Sequence, residues 1–202
     1  MKNVVLVCGW QEDLPDNDGS DFVGIDRGAL LLARASRQMV FAIGDFDSVT
    51  EAERSEITAL ASETLVLNPI KDISDTEAAL IECLKRGYTR IELWGGLGGR
   101  FDHAWVNVLL LKQYKELRLV DRQNLVFTLE VGEHEVDRLN FTYLSIFALE
   151  PSVISLDYVA YPLDHKSLTP EMTLGLSNQI LNQKARVSVH AGRILVICSS
   201  DA

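Results

Sequence analysis

Residues 89–114 read TRIELWGGLGGRFDHAWVNVLLLKQY and contain, in order, a strand segment, a glycine-rich turn and a helix segment. TRIELWGG is typical of a short buried strand, and DHAWVNVLLLKQY is long enough for a helix that packs on a sheet. Four similar strand segments precede it: NVVLVCG, DFVGID, QMVFAIG and ETLVLNP. Strands that alternate with helices indicate βαβ units. We therefore predict a Rossmann-like parallel sheet with flanking helices over residues 1–118.

Two of the helices are predicted from their first residues. Thr50 with Glu53 and Ser74 with Glu77 have the spacing of a capping box, in which a hydroxyl and a carboxylate satisfy the first backbone amides. Gly87 follows the second of these helices and is a typical C-terminal stop. Both helices therefore begin shortly after a predicted strand ends.

The sequence changes character after about residue 118. The strand-like segments there follow one another without a helical pattern: LRLVDRQNLVFTLEVG, LSIFALEP, VISLDYVAYPL, QKARVSVHAG and RILVICSS. A run of strands after a run of strand–helix units indicates a second domain. We predict a small antiparallel β-sandwich over residues 119–202, so the fold class is α/β plus all-β.

The composition excludes several classes of protein. The chain of 202 residues is 47% hydrophobic and carries a formal net charge of −10. Nucleic-acid and anionic-membrane binders usually have a basic surface, so neither partner is expected. No apolar segment is long enough to span a bilayer. The first residues, MKNVVLVCGWQEDLP, are typical of a strand rather than a signal peptide.

The cysteines indicate a reducing compartment. Cys8, Cys83 and Cys198 are odd in number and widely spaced, so we expect buried free thiols and a cytoplasmic protein.

Polar and glycine residues are concentrated where four predicted strands end. Ligands of open parallel sheets bind outside the carboxyl ends of the strands, so these segments are expected to line one crevice. The segments are GIDRG with Asp26, GDFDS with Asp45 and Asp47, NPIKDISD with Lys71, Asp72 and Asp75, and GGLGGRFDH with Gly95, Gly96, Gly98, Gly99, Arg100, Asp102 and His103.

The carboxylates have two interpretations. Asp45 and Asp47 are typical turn or cap residues, but two of them after a buried strand favour a Mg²⁺ site. Asp75 follows the predicted cap Ser74, where the helix dipole favours an acid, so a structural and a metal-binding role are equally supported. Ser48 is expected to be structural. A third carboxylate from the Asp72–Asp75 segment would complete a divalent-cation site.

The glycine-rich segment matches neither the dinucleotide fingerprint nor a P-loop. It is either a tight strand-to-helix turn or, placed before a helix and Arg100, a cradle for an anion. Arg100 offers a bidentate phosphate contact, and Lys71 is either a surface lysine or a second phosphate contact. For His103, a hydrogen bond to a neighbour is favoured over proton transfer. Asn107 is expected to face the ligand or His103, and Trp105 is expected in the core.

An ordered set of five motifs resembles the thiamine pyrophosphokinase family. In chain order the motifs are IDRG, GDFDS, KDISDTEAAL, GGLGGRFDHAWVN and GLSN. The first four lie within about residues 24–112 and the last near residue 178. GDFDS followed by GGRFDH is the specific part of the resemblance, whereas GLSN alone is not specific.

The resemblance implies an enzyme that transfers pyrophosphate from ATP to the hydroxyl of thiamine with Mg²⁺, releasing AMP. It implies an N-terminal α/β domain, a C-terminal β-sandwich, and a homodimer with active sites at the subunit interface. The implied Mg²⁺ ligands are Asp45, Asp47 and Asp75. The implied nucleotide and phosphate contacts are Asp26, Lys71, Asp72, Gly96, Gly98, Gly99, Arg100 and Asp102. Catalysis falls to Asp45, Asp47, Asp72 and Arg100, with Asp47 and Asp72 both open as the base, and thiamine binding falls to Ser177 and Asn178.

Three departures from the family pattern lie mainly on the acceptor side. Arg27 stands where the family commonly has a second glycine, and Gln179 stands where it often has Glu. A tryptophan often found upstream of GLSN is missing, with Tyr158 and Tyr161 nearby.

Two other functions stay open from the residues. DFDSV resembles the motif of haloacid-dehalogenase-type phosphatases, in which Asp45 would be the nucleophile. The chain can also be a nucleotide-binding or regulatory relative that has lost turnover.

Overall fold

The computed structural model describes residues 2–9 and 13–201. The chain divides into two compact units, Met1–Leu110 with Glu116–Asp121, and Leu111–Lys115 with Arg122–Ala202. The boundary expected after residue 118 falls within a strand of the first unit, Leu117–Val120.

The first unit is a parallel sheet with helices between its strands. The strands are β1 (Asn3–Val7), β2 (Asp21–Ile25), β3 (Phe41–Gly44), β4 (Thr64–Val66), β5 (Arg90–Trp94) and β6 (Leu117–Val120). Their order in the sheet is β4-β3-β2-β1-β5-β6, and every neighbouring pair is parallel. The helices are α1 (Arg27–Arg34), α2 (Glu51–Leu60), α3 (Asp75–Lys85) and α4 (Phe101–Leu110).

The central strands are buried on both faces. All four residues of β3 are buried, as are four of the five in β1. Strands covered on both sides are continuously apolar rather than alternating, which explains why VVLV and FAI could be assigned from the sequence.

The predicted helix starts are confirmed. The Thr50 hydroxyl accepts from the Glu53 amide at 3.3 Å, and the Glu53 carboxylate accepts from the Thr50 amide at 2.9 Å, which is a complete capping box. The Ser74 hydroxyl accepts from the Glu77 amide at 3.1 Å at the start of α3. Gly87 follows α3 with φ of 80°, a conformation that favours glycine. These caps fix where the helices begin relative to the preceding strand ends.

The second unit consists of two antiparallel sheets. Its strands are β7 (Asn124–Leu129), β8 (Gly132–Asp137), β9 (Tyr143–Ala148), β10 (Ser152–Asp157), β11 (Leu163–Leu168), β12 (Lys184–Ala191) and β13 (Ile194–Ser199). One sheet has the order β7-β13-β9 and the other β11-β10-β12-β8. The predicted class, a parallel α/β sheet followed by an antiparallel β unit, is confirmed.

Three strands differ from the sequence-based assignment. LRLV was grouped with the later strands, but it forms β6 and pairs in parallel with β5. Strands β8 and β11 were not predicted as separate strands because their side chains are mostly polar and exposed. Both lie at the edges of the four-stranded sheet.

Two further expectations concern helices and thiols. Within residues 2–9 and 13–201, no helix has the length and apolar composition needed to cross a bilayer. The three cysteines carry thiols and not disulfides; Cys83 and Cys198 are buried, and Cys8 is partly buried. Burial raises the pKa of the Cys8 and Cys83 thiols to about 12, so both are protonated at neutral pH.

Candidate active site

Asp26 follows β2 directly and sets the packing of the strand ends. Its backbone has φ of 47°, and its amide donates to the Ile43 carbonyl at 3.0 Å. Its carboxylate lies against Gly44, where a Cβ atom would come within 1.8 Å of Asp26 Oδ1. Gly44 of the GDFDS motif is therefore required by the position of Asp26.

The helix after Asp26 also depends on a close approach. A Cβ atom on Gly28 would lie 1.9 Å from the Val7 carbonyl oxygen, so the start of α1 packs directly on the end of β1. Arg27 is the first residue of α1 and is exposed.

The GDFDS segment turns about a buried phenylalanine. Phe46 is 4% exposed, belongs to the apolar cluster of the first unit, and has φ of 55°. The residues on either side of Phe46 are less buried: Asp45 is partly exposed and Asp47 is exposed. The Asp47 amide donates to Asp45 Oδ1 at 3.1 Å, so Asp45 does stabilise a turn. A turn therefore explains the role of Oδ1 of Asp45. It does not explain why a second carboxylate, that of Asp47, is present in the same turn.

Asp75 and Lys71 form an ion pair at the start of α3. Lys71 Nζ lies 2.8 Å from Asp75 Oδ1, and both side chains are largely shielded from solvent. Asp75 Oδ1 is buried, but its contact with Lys71 does not have hydrogen-bond geometry. Lys71 also donates to the Asn68 carbonyl at 3.3 Å. Lys71 is therefore not a freely solvated lysine, and Asp72 beside it is exposed.

Three of the predicted aspartates lie close enough to Asp26 for their charges to change its pKa. The pKa of Asp26 is raised from 3.8 to about 6, first by burial and then by the Asp75 carboxylate. A hydrogen bond from the Phe46 amide, at 3.4 Å, opposes this rise, while Asp45 and Asp47 add to it. The structure thus brings Asp26, Asp45, Asp47 and Asp75 to neighbouring strand ends, as expected for parallel strands.

The carboxylates are near one another but do not form a closed metal cage. In the part of the chain that the structure describes, no group of three or more Asp, Glu, His or Cys side chains is arranged to hold a metal ion. The chemistry of the site nevertheless fits a divalent cation. Its donors are oxygens, and the buried Asp75 Oδ1 accepts no hydrogen bond.

The glycine-rich turn after β5 is held by Asn107. Gly95 and Gly99 have φ of 82° and 76°. The buried Asn107 side chain donates from Nδ2 to the Gly96 carbonyl at 2.8 Å. The Asn107 amide group therefore fixes the turn, a role that the sequence did not indicate, and its expected contact with a ligand or His103 stays a prediction. A Cβ atom on Gly98 would meet open space, so this glycine leaves room beside the turn.

Arg100 and Asp102 form a bidentate ion pair on the surface. Arg100 Nε lies 3.1 Å from Asp102 Oδ1, and Nη2 lies 2.6 Å from Oδ2. The Arg100 guanidinium is the main cause that lowers the pKa of Asp102 to about 2. The His103 amide also donates to Asp102 Oδ1, at 2.9 Å. A guanidinium in this planar geometry matches a phosphate as well as a carboxylate.

Trp105 was expected in the core, and that prediction is wrong. Its side chain is 54% exposed, and its ring stacks against the exposed Phe101 with 6.4 Å between ring centres. The helix α4 carries further exposed apolar residues at Val106 and Leu109. The helix α4 therefore has apolar residues on the face that is exposed to solvent as well as on the face that packs against the sheet.

Three of the four residues of the GLSN segment have packing or hydrogen-bond contacts within the second unit. A Cβ atom on Gly175 would lie 1.9 Å from the Ile146 carbonyl oxygen. Ser177 has φ of 57°, is exposed, and its amide donates to the Ser145 hydroxyl at 2.9 Å. Asn178 is 6% exposed, so its side chain is inside the second unit. Of the two predicted thiamine contacts, Ser177 is on the surface and Asn178 is not.

Comparison with known proteins gives matches over both units. Residues 18–120 match the family described as thiamin pyrophosphokinase, catalytic domain, and residues 133–194 match thiamin pyrophosphokinase, vitamin B1 binding domain. Thiamine pyrophosphokinase of Bacillus subtilis (strain 168) is 32% identical over 214 residues, with both chains covered in full. The chain belongs to the thiamin pyrophosphokinase family.

Solved structures of this family have the same fold. The crystal structure of thiamine pyrophosphokinase from B. subtilis superposes with a TM-score of 0.90 at 30% identity, and both chains are covered in full. A thiamin pyrophosphokinase family protein from Enterococcus faecalis gives a TM-score of 0.91 at 30% identity, again with full coverage of both. These matches do not support a haloacid-dehalogenase-type phosphatase or a non-enzymatic relative.

Two contacts within the site could not be predicted from the sequence. The hydrogen bond from Asn107 to Gly96 joins a helix to the turn before it, and α-helical spacing alone placed Asn107 on the His103 face. The contact between Asp26 and Gly44 joins two different strand ends. The IDRG and GDFDS motifs are thus two halves of one packing arrangement.

Proposed function

We propose that this chain transfers the pyrophosphoryl group of ATP to the hydroxyl of thiamine, forming thiamine diphosphate and AMP. Similarity to thiamine pyrophosphokinases along the full chain supports the reaction and both substrates. The observation that carries the proposal is the convergence of Asp26, Asp45, Asp47 and Asp75 at neighbouring strand ends, in the family's own motifs. Transfer of a phosphoryl group depends on positioning and charge neutralisation, which such a site supplies.

We assign Mg²⁺ to the carboxylates Asp45, Asp47 and Asp75. Mg²⁺ in such sites is typically held by one or two carboxylates together with substrate phosphates, so an incomplete protein cage suits it. When bound, the ion would neutralise charge on the transferred group. Lys71 now neutralises Asp75, and a cation at this carboxylate would release Lys71 toward the phosphates.

The phosphates of ATP are assigned to the glycine-rich turn and its neighbours. Gly96, Gly98 and Gly99 offer backbone amides, and Arg100 offers a planar guanidinium. Arg100 and Asp102 are both exposed, so exchange of the carboxylate for a phosphate involves little desolvation. Asp26 and Asp72 complete the set assigned to the nucleotide side.

An aspartate is assigned to orient or deprotonate the acceptor hydroxyl. Asp47 and Asp72 are both exposed at the strand ends, and the described contacts favour neither. Arg100, Asp45 and the chosen base are the groups that we expect to control the rate of transfer.

The acceptor side is assigned to the second unit. Ser177 is exposed within the GLSN segment and is assigned to thiamine, while Asn178 is assigned to hold that segment. The vitamin B1 binding domain match over residues 133–194 includes both residues and supports this division.

We propose a homodimer whose active sites lie at the subunit interface. The GLSN region exposes several large apolar side chains. A group of this kind is typical of an interaction surface, whereas single exposed apolar residues are common on any protein. They are Tyr161, Met172, Leu174, Leu176 and Leu181. We name this set the apolar segment of the second unit. Its overlap with Ser177 supports an interface next to the acceptor.

A variant comparison tests the reaction. With ATP, Mg²⁺ and thiamine, Asp47→Asn should lower the rate of AMP release by on the order of 100-fold, as expected when a preorganised charge is removed. Asp18→Asn is the matched control because Asp18 is exposed and precedes the amino end of β2, whereas the predicted site lies at the carboxyl ends of the strands. The proposal would be wrong if AMP release did not require thiamine, or if both variants kept the wild-type rate.

A further inference from the structure

The side chain of Asn178 is almost fully engaged within the protein. Oδ1 accepts from the Tyr161 amide at 3.0 Å and from the Gln179 amide at 2.9 Å. Nδ2 donates to the Tyr161 carbonyl at 2.8 Å. An asparagine amide has two acceptor positions and two donor hydrogens. Three of these four are therefore satisfied by backbone groups, and one donor hydrogen is left.

The contact between Asn178 and Tyr161 reproduces a strand pairing. Asn178 binds both the N–H and the C=O of Tyr161, as a neighbouring strand residue would. Backbone hydrogen bonds continue the pairing, with Ala160 N donating to Gln179 O and Leu181 N donating to Tyr158 O. The segment around Tyr161 is thereby attached to the GLSN segment.

The other side of Asn178 is anchored to a strand of the adjoining sheet. Its backbone N–H and C=O both pair with Leu144 of β9, at 3.0 and 2.8 Å. Asn178 thus connects β9 through its backbone to Tyr161 through its side chain. Ser177, one residue earlier, is fixed to Ser145 of the same strand. The exposed side chains of Ser177 and Tyr161 are therefore held in a defined relation to each other.

We propose that Asn178 is a positioning residue for the acceptor and does not itself contact it. It fixes the backbone of Tyr161 relative to Ser177 and so preorganises the surface that receives the acceptor alcohol. This inference rests on the proposed function, because that function supplies the acceptor. A preorganised segment increases affinity by removing the loss of freedom on binding.

Two readouts that need no turnover test the proposal. The first is hydrogen exchange at the Tyr161 amide, and the second is the Kd of thiamine by calorimetry with Mg²⁺ and a non-hydrolysable ATP analogue. Asn178→Ala should speed exchange at Tyr161 and weaken thiamine binding about tenfold, since partly buried backbone groups lose their partners. Binding of the ATP analogue should be unchanged.

Two further variants separate positioning from contact and from misfolding. Asn178→Asp keeps an acceptor for the Tyr161 amide and loses the donor to its carbonyl, so both effects should be intermediate. Ser177→Ala is the matched control, and it should leave exchange at Tyr161 unchanged. If Asn178→Ala misfolds, the comparison of Asn178→Asp with Ser177→Ala decides.

Three results would overturn the inference. They are weaker thiamine binding with unchanged exchange at Tyr161, faster exchange with unchanged thiamine binding, and no thiamine binding by the wild type. Failure of the proposed function has a different signature. There the wild type would bind thiamine and show these variant effects, yet release no AMP in its presence.

Discussion

At the scale of single residues, Asp26 illustrates how the site is constrained. Its carboxylate is half-buried among three others, and its backbone has φ of 47° and ψ of −120°, outside the left-handed helical region in which aspartate is tolerated. Both features disfavour the folded state without a cation. Residues of this kind are common where function, rather than stability, determines the side chain.

The raised pKa of Asp26 predicts a pH-dependent stability. Because its pKa is about 6 in the folded chain against an ordinary value of 3.8, the ionised form is disfavoured by folding. Its stabilising contribution is complete below the ordinary value and is lost as the pH rises through about 6. Without divalent metal, Asp26→Asn should raise the melting temperature at pH 7.5 by about 4 °C.

The same variant should give no gain below the ordinary pKa of the carboxyl. Calorimetric melting at pH 7.5 and at pH 3.5 provides the comparison. An equal gain at both pH values would show that the packing of the introduced amide, and not the charge of Asp26, changes the stability.

The positions of single residues were predictable where the fold class alone determines them. The carboxylates were placed correctly at the strand ends because the carboxyl ends of parallel strands share one edge. The hydrogen bonds of Asn178 to Tyr161 join residues 17 positions apart and required the fold. Trp105 was misplaced because an apolar helix pattern does not reveal which of two apolar faces meets the core.

At the scale of elements, the strand-to-helix turns determine the geometry of the site. The central strands were predictable from continuous apolar runs, and helix starts from capping boxes. The polar edge strands β8 and β11 were not predictable because little of either is buried. The β6 strand was assigned to the wrong run because nothing in LRLV distinguishes parallel from antiparallel pairing.

Two glycines of these turns should differ in their tolerance of alanine. Gly44→Ala places a methyl group 1.8 Å from Asp26 Oδ1, so the carboxylate or the strand end must move. It should lower the free energy of unfolding by about 2 kcal/mol, as overpacking does. Gly98→Ala meets nothing within 4 Å and should change the free energy of unfolding by less than about 0.5 kcal/mol.

Urea unfolding of both variants is the measurement. Equal effects of the two substitutions would contradict the packing of Asp26 against Gly44.

At the scale of the whole molecule, each unit carries one half of the residues proposed for the site. The first unit holds the carboxylates, the glycine-rich turn and Arg100, and the second holds GLSN. Each unit also exposes large apolar side chains beside its half, at Phe101 and Trp105 in the first and in the apolar segment of the second. This distribution is the basis for the proposed dimer.

The proposed dimer predicts a defined response to substitutions in the apolar segment. Light scattering during gel filtration should give twice the mass of one chain. Leu174→Ser combined with Leu176→Ser should shift the protein toward the mass of one chain, because two exposed apolar contacts are removed. Val131→Ser, at an equally exposed apolar residue outside this segment, should leave the dimer intact.

A wild-type protein with the mass of one chain would contradict the dimer. Retention of the dimer by the double variant would instead exclude the apolar segment as its interface.

The most direct test of the central claim is a phosphorus NMR spectrum of the reaction of ATP, Mg²⁺ and thiamine with the wild-type chain. We predict one thiamine diphosphate for each AMP formed, with both phosphates of the product taken from the β and γ positions of ATP. Formation of ADP or orthophosphate in place of AMP, or AMP without thiamine diphosphate, would contradict it.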